Sequence, residues 1–459
     1  MKDFMEPESV ALIGISRKTR PGSFNIMENM IGFGFRGRIY PVNPNMREIL
    51  GRKAYPNIRE VKEPVDLAVI STPRETTLGI LSDCVAAGVK AAIVVNQGFA
   101  DADDYGKSLQ REMSKIAKRD GMRILGPNTL GVINNYNGFT TSFMPITKEE
   151  VPIGLICQSG IFFVGAREFS RHIGKGIDIG NGCDIGFCEA LSYLGEDPAI
   201  RLIAIHMEGL NQGREFLRLA ERITSQKAVI VHKTGSSERG AAAAISHSGS
   251  MAGNYQVTRA ALEQAGVTVL DEDGEMTHAV KTLLHLPPMK GNRVAVITFS
   301  GAAGIMITDA LDRYGLSLAT LSPKTVETVA RLSPKWMPLG NPLDIWPAVM
   351  LNGPDKAYAM ALRAVLKDPH VDGVICVAIG PKVPDYEFLD VSDALKEVAE
   401  DLPDKPIAVW LYGPNPEEIG MRFESTKRIM VYPTLEIASW SLSLLRDRHQ
   451  THNSATSSR

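Results

Sequence analysis

The most reactive feature of the chain is a histidine surrounded by small residues. His247 lies in Gly240-Ala-Ala-Ala-Ala-Ile-Ser-His247-Ser-Gly-Ser-Met-Ala-Gly253. With so little bulk beside it, the imidazole can approach another backbone or swing between two sites. Its ordinary pKa of about 6.5 leaves it largely neutral and nucleophilic at cell pH. Attack by one ring nitrogen on a phosphoryl group would give a covalent phosphohistidine. The plainer reading is a Gly/Ser turn that opens a helix, with Ser246 or Ser248 as its cap. Two other segments suit the chemistry. Glu208, in His206-Met-Glu208-Gly209, ends a predicted strand. A carboxylate there could fix the imidazole tautomer and steady a charged phosphoimidazole, although an exposed strand-end glutamate is the simpler alternative. Gln158-Ser159-Gly160-Ile161 begins a predicted helix, whose N–H groups and dipole would favour the phosphate that His247 carries.

The elements that must position these groups follow one repeated pattern. An apolar strand runs into a Gly/Ser turn and then a helix at Ser9-Val-Ala-Leu-Ile-Gly14-Ile-Ser16, at Val151-Pro-Ile-Gly-Leu-Ile-Cys-Gln-Ser159-Gly160, and at Arg293-Val-Ala-Val-Ile-Thr-Phe-Ser300-Gly301-Ala-Ala-Gly304. Continuous Val/Ile-rich runs suit strands buried on both faces of a parallel sheet. Pro-containing breaks at 144–152 and 286–292 separate the openings. Further strands are predicted at 65–72, 91–96, 123–125, 202–207, 228–232, 374–378 and 407–412. Alternation with helices predicts right-handed crossovers. The fold class is therefore α/β, with three tandem doubly wound domains near 1–145, 146–288 and 289–446. The polar residues 447–459, without period, predict a disordered tail.

Ligands of open parallel sheets sit beyond the carboxyl ends of the strands, where turns and helix starts offer backbone N–H groups to anions. In the first domain the candidates are Gly14 and Ser16 with Gly22 and Ser23, then Asn43, then Thr72 and Pro73, and then Asn96, Gln97 and Gly98. This is not Gly-x-Gly-x-x-Gly: Ser16 replaces the second glycine, and Arg17-Lys18-Thr19-Arg20 precedes the helix. The strand Arg38–Val42 lacks the acidic residue that would hold a ribose. That weakens a nicotinamide-dependent dehydrogenase and leaves room for a ligand with extra phosphates, such as coenzyme A.

The totals narrow the class. A length of 459 residues suits about three domains at roughly 150 residues each. A net charge of -2 implies neither a nucleic-acid nor a membrane-surface partner. With 44% apolar and 7% aromatic residues and 41 glycines, the composition reads as a soluble α/β enzyme rich in tight turns. No stretch reaches the ~20 apolar residues of a membrane span, and the opening Met-Lys-Asp-Phe-Met-Glu-Pro lacks an apolar signal core. Five scattered cysteines form no Cys-x-x-Cys pair. They point to the reducing cytoplasm, with no metal site and no disulfide framework.

In order and spacing the motifs resemble the α subunit, or α half, of the NDP-forming acyl-CoA synthetases, relatives of succinyl-CoA synthetase. The ADP-forming acetyl-CoA synthetase branch is the most similar. The resemblance runs from about residue 6 to residue 445. It rests on Ser9-Val-Ala-Leu-Ile-Gly-Ile-Ser, Gly37-Arg-Ile-Tyr-Pro-Val-Asn-Pro, Val65-Asp-Leu-Ala-Val-Ile-Ser-Thr-Pro, Gly126-Pro-Asn-Thr-Leu-Gly131 and Cys157-Gln-Ser-Gly. It continues through Ile179-Gly-Asn-Gly-Cys-Asp184, His206-Met-Glu-Gly, Lys233-Thr-Gly-Ser-Ser-Glu-Arg-Gly with Ser246-His-Ser-Gly, Phe299-Ser-Gly and Gly340-Asn-Pro-Leu-Asp344.

The resemblance implies a Rossmann-like CoA-binding domain followed by two flavodoxin-like domains. CoA would lie on the turns around Gly14, Ser16, Asn43, Thr72, Pro73 and Gln97, with Asn128 near the reacting thiol and acyl phosphate. His247 would be the phosphorylated histidine, Glu208 its partner, and Ser159-Gly160 the start of the helix that holds the phosphoryl group. The implied reaction is reversible: acyl-CoA, phosphate and ADP give a small carboxylic acid, CoA and ATP. ADP/ATP and Mg2+ would be held mainly by an ATP-grasp β subunit, in an α2β2 or larger assembly, because the three domains leave no room for an ATP-grasp module. The alternative is a CoA-binding regulatory or scaffolding protein that keeps the fold without the chemistry. One departure stands out: Phe162 and Phe163 follow the Ser159-Gly160 turn, where smaller residues are the family expectation, and their bulk would reshape an acyl pocket.

Overall fold

The computed structural model describes residues 1–15, 25–146, 148–164, 173–240, 254–272, 274–382 and 385–457. His247 and Ser246 lie outside these residues, as do Ser16, Gly22 and Ser23. The chain folds as two compact units, Met1–Met276 and Thr277–Arg459.

The first unit holds two sheets. In the first sheet, β1 (Ser9–Ile13), β2 (Arg38–Val42), β3 (Leu67–Ile70), β4 (Ala91–Val94) and β5 (Arg123–Leu125) run parallel in the order β2-β1-β3-β4-β5. Every residue of β1, β3 and β4 is buried, as expected for apolar runs covered on both faces. Ile13 pairs with both Val42 and Ile70, so the carboxyl ends of β1, β2 and β3 lie side by side.

The second sheet comprises β6 (Val132–Asn134), β7 (Phe139–Thr140), β8 (Ile153–Cys157), β9 (Lys175–Asp178), β10 (Leu202–Met207), β11 (Ala228–Lys233) and β12 (Thr268–Leu270). Their order is β12-β11-β10-β8-β9-β6-β7. The strands β8 to β12 are parallel, whereas β6 joins β9 antiparallel through Val132↔Ile177. Residues 132–140, which the strand pattern groups with the first domain, thus belong by hydrogen bonding to the second sheet. One apolar cluster runs continuously from Phe4 to Val267 and makes the two sheets one body.

Phe163 turns inward and is fully buried. An added Cβ on Gly176 of β9 would lie 3.0 Å from its ring. The glycine therefore makes room for the phenyl group. Phe162, half-buried, instead lies flat on His206, with ring centroids 4.2 Å apart and planes 20° apart.

The second unit carries the third sheet, made of β13 (Arg293–Thr298), β14 (Ser317–Leu318), β15 (Leu343–Asp344), β16 (Gly373–Ile379), β17 (Ile407–Tyr412) and β18 (Ile429–Tyr432). The order is β14-β13-β16-β17-β18, with β15 also paired to β13. The Asn341 side chain receives the Val296 N–H and donates to the Val294 and Ala319 carbonyls, which ties β15 to the sheet.

The end of the chain corrects one expectation. Residues 447–457 are not an irregular tail: the final helix runs from Leu435 to Ser457. Arg446 anchors it through the carbonyls of Tyr314 and Gly315. Polar i,i+4 contacts, Thr451 to Asp447 and Asn453 to His449, continue the turns. A helix held by such contacts has no apolar period for sequence to reveal. Among the described residues, no helix is long and apolar enough to cross a membrane.

Candidate active site at the strand ends of the second sheet

Three sequence-predicted groups meet where the strands of the second sheet end. Beyond β8, Gln158 turns toward Glu208, and its side-chain oxygen accepts the N–H groups of Glu208 (2.7 Å) and Gly209 (3.0 Å). That oxygen therefore shapes the turn that presents Glu208. Gly160 packs directly on Leu130: a Cβ there would fall 2.6 Å from Leu130 Cδ1. Ile161 is exposed beside it. Thus the Ser159-Gly160 turn touches the segment that carries Asn128 on one side and leads to Glu208 on the other. Glu208 is nearly buried, at 8% exposure. A carboxylate so sheltered from water acts more strongly on its neighbours than one in bulk solvent.

Asn128 sits in a turn with φ +60° and donates to the Asn181 side chain at 3.4 Å. Asparagine tolerates this left-handed conformation better than most residues. Its N–H bonds the Asn96 carbonyl at 2.9 Å, which links the end of β4 to this turn. Asn181 is held in its turn by Asp101 (2.7 Å) and Gln110 (3.0 Å). Gly180, at φ +53°, is needed here because a Cβ would lie 2.3 Å from the Pro127 carbonyl oxygen.

Two charged groups that carried no predicted role lie within this framework. Lys233 ends β11 beside Met207 of β10 and is buried. Its ammonium donates to the carbonyls of Glu208 (2.7 Å) and Thr234 (2.6 Å). Burial lowers its pKa, and the charge of Glu208 works in the opposite sense. Asp178 ends β9 and is 1% exposed. Burial pushes its carboxyl up to about 6, against hydrogen bonds from the Leu130 and Gly180 N–H groups that favour the ionised form. The neighbouring Cys157 thiol is also pushed well up by burial, then by Asp178, so it stays protonated. Lys233 was visible only as the first residue of a motif. Asp178 gave no sequence signal, because its partner Leu130 is 48 positions away.

A second feature lies at the ends of β1, β2 and β3. A cavity of about 500 Å³ is lined by Gly14, Asn43, Thr72 and Pro73 together with Asn45 and Thr76. Gly14, at φ +86°, lets the backbones meet: a Cβ would stand 2.5 Å from the Ser71 oxygen. Asn43 holds the rim by donating to the Ile15 carbonyl at 3.0 Å. The cavity thus gathers four of the residues predicted to bind a phosphate-bearing ligand. Asn96, Gln97 and Gly98 stand at the next strand end, where Gly98 is pinned by Asp101 and Arg74.

Comparison with known proteins bears on both features. Residues 8–135 match the CoA binding domain family, 150–283 the succinyl-CoA ligase like flavodoxin domain, and 294–444 the ligase-CoA domain. ADP-forming acetate–CoA ligase II of Archaeoglobus fulgidus is 38% identical over 403 residues, covering 85% of this chain and 59% of that protein. The α subunit of ADP-forming acetate–CoA ligase I of Pyrococcus furiosus is 33% identical over 453 residues, 97% of each. The chain therefore spans less than two thirds of the Archaeoglobus protein but nearly all of the Pyrococcus subunit. Among solved structures, the dinucleotide forming acetyl-coenzyme A synthetase 1 of Ca. Korarchaeum cryptofilum, in complex with phosphate and ADP, superposes with a TM-score of 0.87 at 31% identity, over 100% of this chain and 98% of that one.

Proposed function

The chain belongs to the family of ADP-forming acetate–CoA ligase α subunits, and from that premise we propose that it interconverts an acyl-CoA, phosphate and ADP with the free acid, CoA and ATP. The observation that carries this reading is the convergence of Asn128, Ser159-Gly160 and Glu208 on one edge of the second sheet, with the cavity around Gly14 in the same unit. CoA is assigned to that cavity. Its lining offers backbone and amide groups with a single carboxylate, Asp83, and Gly14 lets the strand ends that form the rim approach closely.

The chemistry divides into steps whose atoms balance. A phosphate oxygen attacks the thioester carbonyl, the C–S bond breaks, and CoA leaves as the thiolate, which takes up a proton. A ring nitrogen of His247 then attacks phosphorus, and the carboxylate departs. Phosphohistidine passes its phosphoryl group to ADP and regenerates the imidazole. Within this scheme Asn128 faces the acyl phosphate and Glu208 steadies the imidazole. Ser159, Gly160 and Ile161, with Gln158 and Ser246 at the margins, surround the phosphoryl group. A histidine among glycines and alanines suits a carrier that must travel between sites. The division at 1–145, 146–288 and 289–446 assigns CoA to the first part, phosphoryl transfer to the second and subunit contact to the third.

A separate ATP-grasp subunit with Mg2+ would hold the nucleotide, in an α2β2 or larger assembly. Near-complete coverage of a protein named as an α subunit supports a separate partner. The five free cysteines fit a reducing cytoplasm.

The test is ATP formation by this chain, co-expressed with its partner, from phosphate, ADP and a panel of acyl-CoAs. ATP and free thiol appearing in equal amounts is the expected result. Thiol release without ATP, or no turnover with any thioester, would overturn the assignment.

A further inference from the structure

The turn that presents Asn128 belongs by sequence to the first sheet, yet it is fastened to the second. Pro127 and Gly126 carbonyls accept the N–H groups of Asn181 and Cys183, each at 2.9 Å. The Gly131 carbonyl accepts the Asp178 N–H at 2.9 Å, and the Thr129 hydroxyl donates to the Asp178 carbonyl. At the centre is the Asp178 side chain. One carboxylate oxygen accepts the Leu130 N–H at 2.7 Å and the other the Gly180 N–H at 3.2 Å. Among the described residues, Asp178 is the only ionisable side chain bonded to the 126–131 turn. It also lies under the Ser159-Gly160 turn, 4.0 Å from where a Gly160 Cβ would be. One carboxylate thus joins two segments, the Asn128 turn and the Asn181 turn. Hydrogen bonds to an ionised acceptor are roughly twice as strong as neutral ones, which makes this a firm joint. Burying a charge is costly, and a serine or asparagine would fill the same place more cheaply.

We propose that Asp178 is a positioning residue for acyl transfer: its carboxylate fixes the turn that aims Asn128 at the acyl group, and it takes no part in phosphoryl exchange with nucleotide. The proposal rests on the reading above, in which Asn128 serves the thioester and acyl-phosphate steps and His247 carries phosphate.

The experiment separates the two halves of the reaction in single turnover, using the full chain co-expressed with its partner. One half loads His247 from acyl-CoA and phosphate; the other loads it from Mg-ATP. Asp178→Asn keeps the volume but offers one acceptor oxygen in place of two. It should slow loading from acyl-CoA by about 10- to 100-fold, the penalty for a reacting group moved by a fraction of an ångström to about 1 Å. Loading from Mg-ATP and the KM for CoA should stay within about twofold. Asn128→Ala should show the same split, and the double variant should be no slower than the worse single one, as for residues acting in one chain. Should Asp178→Asn fail to fold, Thr129→Val loosens the same turn by removing a hydroxyl that bonds Asp178 while leaving the carboxylate itself in place, and must show the same split. Equal slowing of both halves, no slowing of either, or additive losses in the double variant would overturn the positioning role. A wild-type protein that loads from neither donor would instead overturn the proposed function, and this inference with it.

Discussion

The buried carboxyl of Asp178 makes a prediction about stability that can be worked through in numbers. Its ordinary pKa of 3.8 rises to about 6 in the folded chain. The folded state therefore holds a proton that the unfolded state has already released between these two values. Stability rises with pH where the unfolded state binds more protons; here the folded state binds more, so the sign is reversed. The contribution of this group is constant below about pH 4, falls as pH rises to about 6, and is constant again above it. At about 1.36 kcal/mol for each tenfold step, the total is about 3 kcal/mol. Asp178→Asn cannot ionise and lacks this component. Measured against the variant, the wild-type protein should therefore lose about 3 kcal/mol as pH rises from about 4 to 7, most of it below about 6. The other carboxylates cancel in the difference. All four tryptophans, Trp336, Trp346, Trp410 and Trp440, lie in the second unit, so their fluorescence does not report on this site. Hydrogen exchange of the 126–131 and 178–183 segments, read across pH, does. Parallel stability curves for the wild type and Asp178→Asn would show that burial does not perturb this carboxyl and would refute the reasoning.

Three other outcomes follow from the geometry. Gly14→Ala adds a Cβ 2.5 Å from the Ser71 oxygen at φ +86°. The left-handed backbone alone costs about 1–2 kcal/mol of folding stability, so the melting temperature should fall; the clash also displaces the cavity rim, so CoA affinity by calorimetry should weaken, and an unchanged Kd would remove CoA from that cavity. Lys233→Met deprives the Glu208 and Thr234 carbonyls of their donor, at about 1–3 kcal/mol for each buried group left unpaired. The melting temperature should drop and His247 loading should slow; a variant as stable and as fast as wild type would contradict the anchoring role. Phe163→Ala empties a fully buried site and should cost about 3–5 kcal/mol. The half-buried Phe162→Ala should cost clearly less, and thermal melts ranking them the other way would contradict the packing described.

The parts of the fold that sequence revealed are those governed by local burial. The runs at 10–13, 153–157 and 294–297 are apolar because parallel strands are covered on both faces, and each ends at a turn that opens a helix or leads to one. The cavity rim was legible for the same reason: Gly14, Asn43, Thr72 and Pro73 each follow a strand, and parallel pairing must bring their ends together. Sequence could not show what depends on long-range closure. Asp178 reads as an ordinary polar residue of the segment Lys175-Gly-Ile-Asp, and only the approach of Leu130 buries it. Lys233 stood in a quoted motif, but its role depends on β10 and β11 ending in register. The short strands β6 and β7 are too brief to show a period. The final helix escaped notice because its last turns are held by polar contacts. Phe162 and Phe163 looked alike as bulky residues; packing sends one into the core and lays the other on His206.

Intact mass measures directly whether His247 carries a phosphoryl group. The chain, with its partner subunit, would be incubated with Mg-ATP and weighed at neutral or alkaline pH beside His247→Ala. The wild-type chain should gain one acid-labile phosphate that is absent in the variant and is discharged by adding ADP. With the partner subunit present, a wild-type chain whose mass does not change, or a phosphate that survives in His247→Ala, would contradict the carrier role of His247.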